Sequence, residues 1–185
     1  MSAPGRRPVW PAVLVLLVVT ACTSSRRTPA PAPAPAGPTP AATGSPRNVD
    51  CVLGEAHLTT DFAPGPDDLT VGSVSWPGLR TWAAKKPADL AGDDALDFKI
   101  GVAVRAGATV TVEVADDDGG AVGLNYGQGS GYSPTRAVTF HGCPDTDTAY
   151  IGGFHVAGPR CVPLVITEPG RPAERVRVSF FAGPC

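Results

Sequence analysis

The chain has 185 residues with 17 acidic and 15 basic side chains, 21 prolines, 22 glycines and five cysteines. No acidic residue precedes Asp50, so residues 48–185 carry all 17 acidic side chains against ten basic ones and net about −7. A domain of that sign repels phosphate backbones and anionic headgroups, which argues against nucleic acid as a partner and against a polybasic membrane contact.

Residues 1–21 read as an export signal. Arg6 and Arg7 form a short basic head, and residues 9–20 form an apolar run centred on Leu14, Leu16, Leu17 and Val18. The run is too short for a membrane span, which needs about 20 apolar residues, and suits a signal peptide. It closes on Val19-Thr20-Ala21-Cys22. Small residues ahead of a cysteine at this position resemble the lipobox of bacterial lipoproteins. That resemblance implies cleavage before Cys22 and two or three acyl chains, such as palmitate, on Cys22. The mature protein is then expected on the extracytoplasmic side of the cell membrane, anchored by lipid. Each buried CH2 contributes about 0.8 kcal/mol, so one chain holds only marginally whereas two or three hold firmly. Ordinary signal cleavage and an uncleaved anchor are the alternatives. Arg6-Arg7 also admits a twin-arginine route, which the neighbouring Gly5, Pro8 and Val9 fit poorly.

Residues 22–47 read as the lipidated cysteine followed by a linker. Pro29, Pro31, Pro33 and Pro35 alternate with alanine, and Pro38, Pro40 and Pro46 follow among Thr, Ser and Gly. With no large apolar residue to offset the entropy of ordering, this segment builds no core. Alternating prolines favour extended polyproline II at about 3.1 Å per residue, so the linker reaches roughly 75 Å at most. It is expected to be a disordered, Pro/Ala-rich, semi-rigid stalk.

The remaining residues, 48–185, make one domain of ordinary size. Period-two alternation dominates it, the mark of half-buried strands. Phe98, Ile100, Val102 and Val104 alternate with Lys99, Gly101, Ala103 and Arg105; Val110, Val112 and Val114 follow after a short link. Val162, Leu164 and Ile166 face one way, and Val176, Val178 and Phe180 repeat the pattern against Arg175, Arg177 and Ser179. Weaker strands fit residues 52–59, 69–76, 121–126, 136–141 and 149–156. Residues 80–90, broken by Pro87, offer one or two helical turns. Asp116-Asp117-Asp118-Gly119-Gly120 is a natural turn. Eight or nine short strands predict an all-β domain, an immunoglobulin-like antiparallel β-sandwich, with a small closed barrel as the alternative.

With Cys22 assigned to lipid, Cys51, Cys143, Cys161 and Cys185 remain. An even set in an oxidising compartment reads as two disulfides with three possible pairings, and no Cys-x2-Cys spacing points to zinc. If the last four strands run up and down, Cys143 and Cys161 lie at opposite ends. A seven-residue strand spans roughly 23 Å, whereas bridged Cα atoms approach within about 7 Å. Cys161 and Cys185 fall at the same end of a hairpin, so Cys161–Cys185 with Cys51–Cys143 is the expected pairing.

The closing stretch contains Cys143-Pro144-Asp145, Tyr150-Ile151-Gly152-Gly153-Phe154, Arg160-Cys161-Val162-Pro163-Leu164 and Cys185. It resembles a group of small exported actinobacterial proteins of unassigned function. The resemblance covers residues 143–185, implies an extracytoplasmic β-domain, and carries no catalytic or binding residues with it.

Signatures of chemistry are sparse. Gly129-Ser130-Gly131 lacks the outer spacing of a nucleophile elbow, and Gly127, Gly129 and Gly131 precede no helix that would cradle a phosphate. His57, His141 and His155 belong to no His-Glu-x-x-His motif. His141, Cys143 and His155 would suit copper or zinc only if Cys143 were a thiolate. Asp116 to Asp118, or Asp145 with Asp147, would supply calcium-binding oxygens but complete no calcium-loop pattern. Trp76 and Trp82 read as packing residues rather than a sugar platform. The loop from Asn125 to Ser133 differs: Tyr126 and Tyr132 lie among Gly, Ser and Asn, a composition that recurs in binding loops because tyrosine offers large amphipathic contact at low entropy cost. The expectation is therefore a non-enzymatic binding or structural module without cofactor or metal. Lipid on Cys22 would hold it at the membrane, where it would meet an envelope protein or cell-wall polymer. A metal-binding protein or envelope enzyme using His141 or His155 with nearby aspartates is the competing class.

Overall fold

The computed structural model describes residues 44–51, 57–90, 96–115, 120–127 and 133–185. The expected signal peptide, Cys22 and most of the stalk lie outside these residues. So do the Asp116-Asp117-Asp118 turn and residues 128–132 of the tyrosine loop.

The alternating apolar runs fold as short strands. In chain order these are β1 (Arg47–Val49), β2 (His57–Thr59), β3 (Leu69–Val71), β4 (Val74–Trp76), β5 (Asp97–Lys99), β6 (Val102–Val104) and β7 (Thr109–Val114). Then come β8 (Val122–Leu124), β9 (Ala137–His141), β10 (Thr148–Tyr150), β11 (Gly153–Val156), β12 (Arg160–Thr167) and β13 (Glu174–Phe180). One layer is the sheet β1-β9-β7-β12-β13, antiparallel except for the parallel β1–β9 pair. Its inward residues, Val110, Val112, Val114, Val138, Phe140, Val162, Leu164 and Ile166, are buried, while Thr111 and Thr139 on the outer face share a 2.8 Å hydroxyl hydrogen bond.

The other layer comprises the sheets β2-β10-β6-β4-β3 and β5-β11-β8. These two are joined as a single bent ribbon. Phe98 lies opposite Phe154 before the bend, and Val102 opposite Tyr150 after it, in one unbroken register. The Ile100 N–H donates to the Gly152 carbonyl across the bend at 2.9 Å. Each long run expected as one strand over 98–104 and 149–156 is thus two strands meeting at a corner, a device by which strands change sheets. Gly152 permits the bend: a Cβ there would lie 2.3 Å from the Tyr126 ring and 2.5 Å from the Asn125 carbonyl oxygen. The expected strand over 69–76 is likewise the hairpin β3–β4, turning at Gly72 with φ 52°.

Aromatic contacts knit the layers. Phe140 meets Tyr126 at 5.2 Å and Tyr150 at 5.6 Å, and Phe154 meets Phe180 at 5.0 Å between ring centroids. The chain therefore forms the expected all-β antiparallel sandwich. A 3-10 helix, Leu79–Ala84, inserts Trp82 among Phe98, Phe154, Phe180 and Phe181. A second 3-10 turn follows at Pro87–Asp89. Pairing starts upstream of residue 48. Gly44 bridges Thr135, and Arg47 Nη1 donates to the Tyr126 carbonyl at 2.8 Å, so the sandwich edge takes in the last residues of the segment read as stalk.

The disulfides are Cys51–Cys143 and Cys161–Cys185, with Cα separations of 5.0 and 5.8 Å. β9 and β12 are both antiparallel to β7 and so run the same way, placing Cys143 beyond the end of one and Cys161 near the start of the other. No helix among the described residues is long and apolar enough to cross a membrane.

Candidate functional sites

The tyrosine loop is the first expectation that the structure changes. Tyr126 is fully buried, packs edge-on against Phe140 and Phe154, and donates its hydroxyl to the Ile100 carbonyl at 2.8 Å. Burial pushes its phenol far above the ordinary tyrosine range. Tyr126 is therefore a core residue at the ribbon bend and not a contact residue. The alternation Val122, Leu124, Tyr126 continues the inward face of β8, and that continuation turns the side chain inside. Tyr132 lies outside the described residues. Trp76 and Trp82 are also buried, in keeping with packing roles.

The best organised polar group lies on the β5-β11-β8 sheet. His155 sits directly across from Asp97, and its Nδ1 is 2.9 Å from Asp97 Oδ1. Asn125 Nδ2 donates to the same oxygen at 2.8 Å. The His155 side chain is 6 % exposed and that of Asp97 42 %. A carboxylate that fixes an imidazole is the orienting half of a general-base site. The other half is not accessible here, because His155 Nε2 is enclosed and has no hydrogen-bond partner, as is Asn125 Oδ1. In the structure the trio clasps three strands together.

The remaining candidates are dispersed. His141 belongs to the opposite layer, with Nδ1 3.4 Å from Thr109 Oγ1 and Nε2 3.7 Å from Asp50 Oδ1. The set His141, Cys143 and His155 is not assembled: the sulfur of Cys143 is bonded to Cys51, and the two histidines lie on different sheets. No cluster of three or more His, Cys, Asp or Glu side chains arranged for a metal occurs among the described residues. Asp147 is a loop staple. Its Oδ1 accepts the Ala106 N–H and its Oδ2 the Phe62 N–H, both at 2.8 Å, while the Arg105 guanidinium lies 4.0 Å over the Phe62 ring. Those backbone bonds, aided by the charge of Arg105, hold its carboxyl below the usual carboxylate range.

One feature escaped the sequence reading altogether. A cavity of about 150 Å³ lies between β3, the Leu79–Ala84 helix and β13, with Leu69, Leu79 and Val178 inside and Arg80 and Arg177 beside it. Its parts come from positions about a hundred residues apart, and no local pattern joins them. No protein-family model matches this chain, and no curated protein matches it.

Proposed function

We propose that this chain is a membrane-tethered extracytoplasmic lipoprotein whose β-sandwich serves as a non-catalytic binding or structural module of the cell envelope. One observation carries the reading: of the five cysteines, four pair with one another in the sandwich, and the fifth is Cys22, at the end of the apolar leader. Two disulfides suit an oxidising compartment, and a cysteine left over behind a signal-like run suits acylation. The Pro/Ala-rich segment then holds the sandwich off the membrane to meet an envelope protein or polymer.

Intact mass of the membrane-extracted protein tests the anchor. Acylated, amino-terminal Cys22 is the expected species, and an unmodified thiol there overturns the anchor. Crosslinking and affinity capture from living cells, beside Cys22→Ala, tests the module. A reproducible envelope partner lost in the variant supports it, and a folded, surface-exposed protein with no partner counts against a protein adaptor. The competing reading, a metal protein or envelope enzyme, draws on the Asp97–His155 pair, and stoichiometric metal in the purified protein would favour it.

A further inference from the structure

We infer that the cavity between β3, the Leu79–Ala84 helix and β13 binds a small anionic amphiphile: an apolar group about the size of a six-membered ring, bearing one carboxylate. This goes beyond the function proposed above by adding a small-ligand site to the module, and it is independent of the lipid anchor.

Size and lining set the apolar part. Leu69, Leu79 and Val178 are each less than a tenth exposed and contribute the aliphatic surface of a cavity of about 150 Å³. An enclosed apolar void of that volume holds benzene in an engineered lysozyme, which sets the scale of a group that this more open space can seat. Such a space takes a ring or a short branched chain.

Charge sets the other part. Arg80 and Arg177 border the cavity in a domain that is otherwise strongly acidic. The Arg80 Nε–H donates to the Asp68 carbonyl at 2.7 Å, which positions the guanidinium while its Nη groups make no hydrogen bond among the described residues. The nearby Asp68 carboxylate accepts the Gly78 and Gly65 amides at 2.7 and 2.8 Å. The Arg177 side chain makes no hydrogen bond or ion pair among the described residues, and it lies two residues from Arg175 on the same strand face. A planar guanidinium fork matches a carboxylate, and both arginines line this one cavity.

The far wall is built with strain. Phe181 is the one non-glycine residue among those described with a left-handed backbone, φ 61°, and its ring stacks on Trp82 at 5.7 Å. That turn carries the chain to Pro184 and Cys185, which line the cavity. The Gly183 N–H bond to the Ala83 carbonyl and the Cys161–Cys185 disulfide hold it there. Backbone strain maintained by surrounding contacts is a recurrent property of ligand sites.

The test uses the full chain in zwitterionic lipid nanodiscs, with 4-fluorobenzoate as probe followed by fluorine NMR and empty nanodiscs as blank. Saturable binding is expected, weakened about tenfold by Arg177→Gln, by Arg80→Gln and by exchanging the probe for neutral 4-fluorobenzyl alcohol. Ala83→Leu, which fills the cavity from its half-buried helical wall, should abolish it. No saturation below about 10 mM overturns the inference. So does equal binding of the charged and neutral probes, or unchanged binding in Ala83→Leu. A peptide ending in a free phenylalanine carboxylate, beside its amide, separates the sources. Tighter binding of the peptide acid than of 4-fluorobenzoate identifies a polypeptide terminus as ligand, and the reverse order a free organic acid. Failure of these assays leaves the mass of the Cys22 adduct unaffected, so the two proposals fail separately.

Discussion

The Tyr126 hydroxyl donates to the Ile100 carbonyl at 2.8 Å, across the corner where the ribbon passes from one sheet to the next. The corner opens a backbone carbonyl, the phenol closes it, and Gly152 leaves room for the ring. The residue chosen from composition as a contact group is instead the pin of the bend.

Tyr126→Phe keeps the ring and strands the Ile100 oxygen. It should lower stability to urea by about 1–2 kcal/mol, the penalty for one unsatisfied buried acceptor, while leaving partner capture unchanged. A urea midpoint equal to that of the wild type would overturn the pin. Alkali provides a second check. The folded state keeps a phenolic proton that the unfolded chain loses from about pH 10, so stability falls as pH rises past that value, and Tyr126→Phe removes this residue's share of the slope.

The two disulfides should contribute unequally. Cys51–Cys143 joins residues 92 apart and Cys161–Cys185 residues 24 apart. Chain entropy assigns the longer closure about 4.6 kcal/mol and the shorter about 3.4 kcal/mol. Denaturant unfolding of the paired variants Cys51→Ala with Cys143→Ala, and Cys161→Ala with Cys185→Ala, should show the larger loss in the first. The opposite order would mean that anchoring the carboxy-terminal wall outweighs loop closure.

Asp147 should make the fold acid-sensitive. Its carboxylate accepts two backbone amides in the folded state, which holds its pKa below the unfolded value. The stabilisation is present above the unfolded carboxylate range, near pH 4, and is lost as pH falls through the lower folded value. Asp147→Asn should flatten that part of the acid limb and reduce stability at neutral pH, measured by thermal unfolding between pH 7 and 2. An unchanged acid limb would refute the assignment.

Much of the scaffold was legible because strand burial writes itself into sequence every second residue. Val110, Val112 and Val114, or Val162, Leu164 and Ile166, announce an inward face without any knowledge of what covers it. The same rule misled where a run crosses a corner. Residues 98–104 alternate without interruption, and only pairing with 148–156 reveals that Ile100 and Gly101 lie at a bend. The disulfide pairing was legible because it depends on which strand ends coincide, a property of strand order. The Asp97–His155 contact was not, because cross-strand partners 58 residues apart share no local signal.

By itself, the sequence determined the β class, an even set of four cysteines in the domain and its acidic balance, which follow from local periodicity or a count. Only the tertiary structure decided that Tyr126 points inward, that His155 meets Asp97, and that Arg80 and Arg177 share one cavity. Those outcomes depend on which strands become neighbours and where a ribbon bends. Both are settled by packing between distant segments, not by the preferences of any one of them.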